Sequence, residues 1–310
     1  HSLVLAGNCI GDEGVKLLAA GLKSLGQLRQ LDLSCNNITA EGVSYCISEL
    51  PAQLSNFSLS HNPLGNASIE SLSKLPSLEC LYLQNCDFSS NFITSQCLNS
   101  LIELDVSYNS LGATCITEIL NQLDTSRTEI LNLAATNSKA CSPAIHGVIY
   151  FLNRVNLPKL KVLDLSNNGL SSLNSDWLFY DLGKIEKLNI SYNDIKILNA
   201  KTLAPLISIK EIDLSQNPLI CNSELSKLKI WCGFRNMKMK GTCALDIIKW
   251  IDIQQMPTDQ FNLNNNPQVE CDIYDESKII KPGYINLEIR LFITIIVSSN
   301  IFILVISWTS

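Results

Sequence analysis

The sequence predicts an α/β solenoid, a coil of stacked repeats with parallel strands along one side and turns or helices along the other. Three observations predict it. First, the phrase L-x-x-L-x-L-x-x-N-x-L runs without departure at Leu160–Leu170 and recurs with its Asn at Asn8, Asn36, Asn62, Asn109, Asn168, Asn193 and Asn217. Second, two weaker copies place Cys86 and Thr136 in the Asn slot, and the interval between slots runs from 23 residues (Cys86 to Asn109) to 32 (Thr136 to Asn168). Third, the 310 residues would ordinarily suggest two domains, but nine in-phase copies make one array that grows in a single dimension.

Each place in the phrase has a physical task. Leu or Ile at the first, fourth and sixth places points inward, and one repeat alone cannot bury them, so stacked neighbours supply the core. The Asn suits the tight turn after the strand, because its amide both donates to and accepts from backbone groups that would otherwise be buried unpaired. Cys86 and Thr136 fill that slot less fully. The phrase is identified as the leucine-rich repeat. That resemblance implies a curved horseshoe with parallel strands on the concave face and helices or turns on the convex face. The residues between the inward leucines line the concave surface, where such solenoids bind their partners.

Along the chain, the first two copies are followed by Gly11–Leu22 and Ala40–Leu50, whose apolar residues recur at helical spacing,. These predict true convex helices, and they resemble the long repeats of ribonuclease-inhibitor-like and NOD-like proteins. From Asn62 onward the spacing mostly shortens, leaving less room for helix. The long interval before Asn168 holds the apolar run Val148–Leu152 after Pro143, and a helical return segment is expected over Ala140–Asn156. The chain enters partway through a repeat at His1, so an upstream cap or further repeats are expected.

At Asn217-Pro218-Leu-Ile-Cys221 the pattern stops. Cys221, Leu225, Leu228 and Trp231 then resemble the C-terminal flanking cap of extracellular leucine-rich-repeat proteins, of the Toll-like receptor ectodomain type. In that family the cap opens N-P-x-x-C-x-C and four half-cystines pair; here Ser223 stands at the second Cys. The resemblance implies a disulfide cap drawn from Cys221, Cys232, Cys243 and Cys271, with Cys232 standing in for the missing partner. Four cysteines allow three pairings. Further on, Leu291–Trp308 is an uncharged apolar run whose helix would be about 27 Å long, enough for a bilayer core. A single-pass anchor is expected there, with a removed lipid-anchor signal as the alternative. The organisation read from these features is a solenoid over 1–216, a cap over 217–275, a stalk over 276–290 and a transmembrane helix over 291–308.

Composition narrows the function. A net charge of −6, spread along the chain without a basic stripe, argues against nucleic acid. The 12 cysteines show no C-x-x-C or Cys/His spacing, so no metal site is expected. Cys46, Cys97 and Cys115 lie among apolar residues of return segments and read as buried thiols. No cofactor motif, nucleophile elbow or phosphate loop occurs, and His1, His61 and His146 are far apart, so no catalytic residue is assigned.

The central concave column reads Asp32, Ser58, Tyr82, Asp105, Asn132, Asp164, Asn189 and Asp213. Its acids fit a solvated face better than acid–base chemistry, because L-D-L-S is ordinary for this repeat. The outer column carries His61, Asn85, Tyr108, Asn167, Tyr192 and Gln216, expected on successive strands. Tyrosines among amides supply rigid amphipathic contact area. His61, Tyr82, Asn85, Tyr108, Asn167 and Tyr192 are the candidate ligand-binding residues. Four N-x-S/T sequons mark Asn37, Asn56, Asn66 and Asn189 as glycan acceptors; the first and third fall in turns, the others on strands. The resemblance implies a cell-surface receptor or co-receptor that binds a protein or microbial ligand, with a receptor partner or dimer. An adhesion or guidance receptor and an intracellular ribonuclease-inhibitor-like scaffold are the alternatives.

Overall fold

The computed structural model describes residues 1–65, 67–89, 98–123, 127–136, 157–171, 173, 182–245 and 250–256. Its centre is a parallel sheet of ten strands in unbroken sequence order. These are β1 Ser2–Val4, β2 Gln30–Asp32, β3 Asn56–Ser58, β4 Cys80–Tyr82, β5 Glu103–Asp105, β6 Ile130–Asn132, β7 Val162–Asp164, β8 Lys187–Asn189, β9 Glu211–Asp213 and β10 Lys238–Lys240. Each is three residues long, and the middle residue of every one from β2 to β10 is buried (Leu31, Phe57, Leu81 and so on to Met239) while its two neighbours are not. That alternation is the two-residue period of a strand covered on one face only. Register holds throughout, the three residues of each strand facing the three of the next.

The slot asparagines bind one coil to the next. Asn62 Nδ2 donates to the carbonyls of Leu59 and Ser60 in its own coil and of Leu33 in the preceding one. Its Oδ1 accepts from the backbone N–H groups of Asn36 (2.9 Å) and Ile38 (3.0 Å) in that preceding coil. Asn109 and Asn193 repeat the pattern. All are buried, so these amides satisfy groups that water cannot reach. The weaker fillers behave as their chemistry dictates. Cys86 Sγ reaches the Leu59 carbonyl at 3.3 Å, and Thr136 Oγ1 donates to the Leu133 carbonyl at 2.8 Å.

On the opposite side, α1 spans Gly11–Leu22 and α2 spans Ala40–Ile47, as the helical spacing required. Asp12 locks them together: its carboxylate accepts from the backbone N–H and the hydroxyl of Thr39, at 2.8 and 2.7 Å. The approach is close enough that a Cβ on Gly42 would lie 2.2 Å from Asp12 Oδ1, so a side chain there would displace the carboxylate. A further helix, α3, covers Gly112–Leu123, and a single turn, α4, covers Ala200–Leu203. The segments Ala140–Asn156 and Ser95–Cys97, with Cys97, lie outside the described residues.

The C-terminal end of the sheet is closed by α5, Ser223–Phe234, whose Asn222 cap accepts from the Leu225 N–H at 2.9 Å. Leu225, Leu228, Trp231 and Cys232 are buried. β10 follows at once, an additional strand on the end of the repeat sheet. At Gly241 (φ 146°) the chain turns away, and a Cβ there would meet Leu214 and Ile253 at 3.1–3.2 Å. β11 (Thr242–Ala244) then pairs antiparallel with β12 (Trp250–Asp252). A disulfide joins Cys221 to Cys243, Cα atoms 5.2 Å apart, and the Cys221 N–H donates to the Ala244 carbonyl beside it.

Cys232 departs from the expected cap. It is a free thiol with its sulfur 3.8 Å from Met239 Sδ, because it lies on the helix face that seals β10. Ser223, where the family has its second cysteine, is the first residue of α5. Cys271 and the segments 257–275, 276–290 and 291–308 lie outside the described residues. Among the described residues no helix is long and apolar enough to cross a membrane.

Candidate concave recognition face

The central column is first of all structural. Asp32, Asp105, Asp164 and Asp213 end their strands, and each Oδ1 accepts the backbone N–H two residues on (Ser34, Ser107, Ser166, Ser215) at 2.8–2.9 Å. Asn132 and Asn189 do the same for Ala134 and Ser191 at 3.0 Å. These are Asx turns, in which a short polar side chain caps the strand as the backbone bends away. Two of them also bond across strands: Asn132 Nδ2 donates to Asp105 Oδ2 at 2.9 Å, and Asn189 Nδ2 to Asp164 Oδ2 at 2.7 Å. The L-D-L-S phrase is thus explained by turn geometry.

The column breaks at Ser58 and Tyr82. Ser58 Oγ bonds Ser34 Oγ at 2.6 Å, and the Gln84 N–H, lacking an Asx acceptor at Tyr82, donates to Ser60 Oγ at 3.2 Å. Tyr82 lies half-buried beside Cys80 on its own strand, with Glu103 facing Cys80 on β5. Burial first, and then the Glu103 carboxylate, hold the Tyr82 phenol well above its ordinary value. The same two causes raise the Cys80 thiol, so this cysteine is a poor nucleophile.

The outer column is not on the strands. His61, Asn85, Tyr108, Asn167, Tyr192 and Gln216 sit in the turn after them, each with φ between 51° and 59°. The strands end four residues before the slot Asn, and the residue preceding that Asn adopts the left-handed region, which brings the amide under the sheet. The row therefore forms a rim along one end of the strands. Tyr108 and Tyr192 are 54% and 62% exposed there. His61 Nδ1 lies 3.2 Å from Asn85 Nδ2. Tyr82 alone of the candidate ligand residues is a strand residue, so the six form a rim row and one floor position.

At the other end of the strands, cross-coil ion pairs line the edge: Arg127–Glu79 at 3.3 Å, Lys161–Glu129 at 2.8 Å and Lys210–Glu186 at 2.6 Å. Lys240 reaches Glu211 at 2.5 Å, which holds the Glu211 carboxyl below its ordinary value. Spacing within one repeat could not reveal these pairs; aligning the repeats would have, since each pair joins equivalent or near-equivalent places. Of the sequons, Asn37 is an exposed turn residue, Asn56 is half-buried on β3, and Asn189 has both amide atoms engaged in its bracket. Asn66 lies outside the described residues.

With this geometry in place, the matched coils are recognised as leucine-rich repeats. Family models of the leucine-rich repeat match residues 158–219 and, for a second repeat type, 1–19 and 28–45. Among curated proteins, the chain is 34% identical over 173 residues to Tonsoku-like protein of Mus musculus, covering 50% of this chain and 13% of that protein. It is 30% identical over 250 residues to the Bos taurus protein of the same name, covering 74% and 16%. Chicken (Gallus gallus) lumican is 27% identical over 202 residues, covering 58% and 56%. The chain thus spans about a seventh of the Tonsoku-like proteins it matches. A solved TLR13–ssRNA13 complex aligns at 24% identity with a TM-score of 0.49, covering 76% of this chain and 35% of that one.

Proposed function

We propose that the chain is the ligand-binding part of a cell-surface receptor or co-receptor. It holds a protein or microbial product non-covalently on its concave face and rim and carries out no catalysis. The observation that carries the reading is the Cys221–Cys243 disulfide in the cap, since such bonds persist in oxidising compartments. The exposed Tyr108 and Tyr192 on the rim support protein recognition, because aromatic side chains dominate interface energetics. The apolar run at Leu291–Trp308 would hold the receptor in the membrane. Microbial recognition follows the cap's resemblance to Toll-like receptors, with adhesion or guidance as the competing role.

A specific observation favours a second reading, an intracellular interaction scaffold. α1 and α2 make long helical repeats, and buried Cys46 and Cys86 are free thiols. One experiment separates the two. Cells expressing the protein are surface-biotinylated and quenched with an alkylating reagent, and peptides are mapped without reduction. A biotinylated chain with Cys221 and Cys243 linked is the expected result; a chain that excludes biotin and has both cysteines alkylated overturns the receptor in favour of the scaffold.

A further inference from the structure

The two outward positions of each strand form a charge pattern along the concave face. From β1 to β7 they hold Asp32, Glu103, Asp105 and Asp164, and neither Lys nor Arg. From β8 to β10 the balance reverses: Lys187, Lys238 and Lys240 stand against Glu211 and Asp213. Lys240 is committed to Glu211 and, at 3.9 Å, to Asp213. In the first part the bonds to Asp105 and Asp164 come from neutral donors, the Ser107 and Ser166 N–H groups and the Asn132 and Asn189 amides. Their charges are solvated by dipoles and matched by no cation among the described residues.

The same part of the face has an apolar floor. Ile130 and Val162, on neighbouring strands, are half-buried on the concave side, and Tyr82 lies two strands from Ile130. Carboxylates, aliphatic surface and one aromatic ring together suit a long cationic side chain, whose methylene stem needs apolar contact and whose head needs charge. A polyanion such as nucleic acid would meet only like charge on the outward strand positions of β1–β7.

We infer that the face over β4–β7 docks a basic, arginine- or lysine-bearing segment of a partner protein, oriented by the opposite charge of β8–β10. The inference rests on the concave face being the binding face, as proposed above, and it adds the chemistry of the occupant. Complementary charge of this kind fixes orientation and speeds association.

The probe is a fluorescent arginine–serine peptide, with a glutamate–serine peptide of equal length as its counterpart, titrated into the full chain and read by anisotropy. The expected result is salt-sensitive binding of the arginine peptide alone, weakened about fivefold by Glu103→Gln with Asp105→Asn, the scale of two partly exposed charge contacts. Both substitutions keep an acceptor oxygen, and an unchanged urea midpoint confirms the fold. Failure of the arginine peptide to bind overturns the inference. So does equal weakening by Glu118→Gln on the exposed outer side of α3. Concentration-dependent self-association abolished by the same pair would replace the partner with a second copy. The cap's disulfide state, mapped on the same sample, judges the receptor reading separately.

Discussion

Replacing Asn193 by Ala removes one small side chain, yet it should cost more than most core truncations. Five hydrogen bonds go with it. Nδ2 no longer donates to the Leu165, Ile190 and Ser191 carbonyls, and Oδ1 no longer accepts from the Asn168 and Leu170 N–H groups. The side chain is 4% exposed, so water cannot take over. The two N–H groups lose their acceptor outright, and at about 1–3 kcal/mol for each orphaned buried group the loss comes to about 4 kcal/mol. The assay is urea unfolding followed by far-UV circular dichroism. Asn8→Ala is the internal control: it is the same residue at the same place in the repeat, but it is exposed and its side chain bonds only to the carbonyls of Leu5 and Ala6 in its own coil. Its expected cost is under about 1 kcal/mol. Equal losses at both positions, or a loss at Asn193 no larger than at Asn8, would refute the view that the amide works between coils.

The converse should hold at Cys86, whose sulfur cannot accept as an amide does: Cys86→Asn is expected to raise stability by about 1 kcal/mol, measured by the same urea titration. Burial pushes the Cys46, Cys86 and Cys232 thiols up to about 12 from an ordinary 9.0. The unfolded chain ionises them first, so their contribution is intact below pH 9 and falls as pH rises towards 12, by about 1.4 kcal/mol per unit for each thiol. Urea midpoints at pH 8, 10 and 11 (values chosen about the ordinary thiol range) check this, and a flat profile would contradict it. In the native state at pH 8 a thiol reagent should modify the exposed Cys9 and Cys35 well before the buried three.

The repeat could be read from sequence because its signal is local and repeated. The buried middle residue of each strand and the slot Asn recur in phase, and each copy corroborates the others. α1 was legible to the residue, since Gly11–Leu22 carries a helix-period apolar stripe and acids in its first turn. β10 was not. Lys238-Met239-Lys240 has strand alternation, but no slot Asn follows it, so only stacking on β9 makes it a strand. The cap was half legible. Cys221 and Cys243 pair, whereas Cys232 turns inward to Met239, and nothing in cysteine spacing distinguishes a half-cystine from a core thiol. The rim was misplaced by the same limit, because a repeat phrase gives the order of residues but not where three-residue strands end.

The Asx brackets and the left-handed rim together say where a ligand could be read without harm to the fold. A substitution at Asp164 or Asn132 removes a strand cap as well as a surface group, so the central column is constrained by turn geometry. The first position of each strand carries no such duty and varies freely, from Cys80 to Glu103 to Ile130 to Val162. The rim is different again. For a residue other than glycine the left-handed conformation costs about 1–2 kcal/mol, and Asn tolerates it best, as at Asn85 and Asn167 (φ 51° and 54°). Tyr108 and Tyr192 adopt the same conformation at φ 56° and 53° while remaining mostly exposed. Neither ring recovers the strain by burial against its own chain. The repeat turn imposes this φ in every coil, so what distinguishes Tyr108 and Tyr192 is the exposure of their rings, and exposed aromatics free of a strand-capping duty, rather than the more conspicuous aspartates, are the places where a bound partner should be sought first.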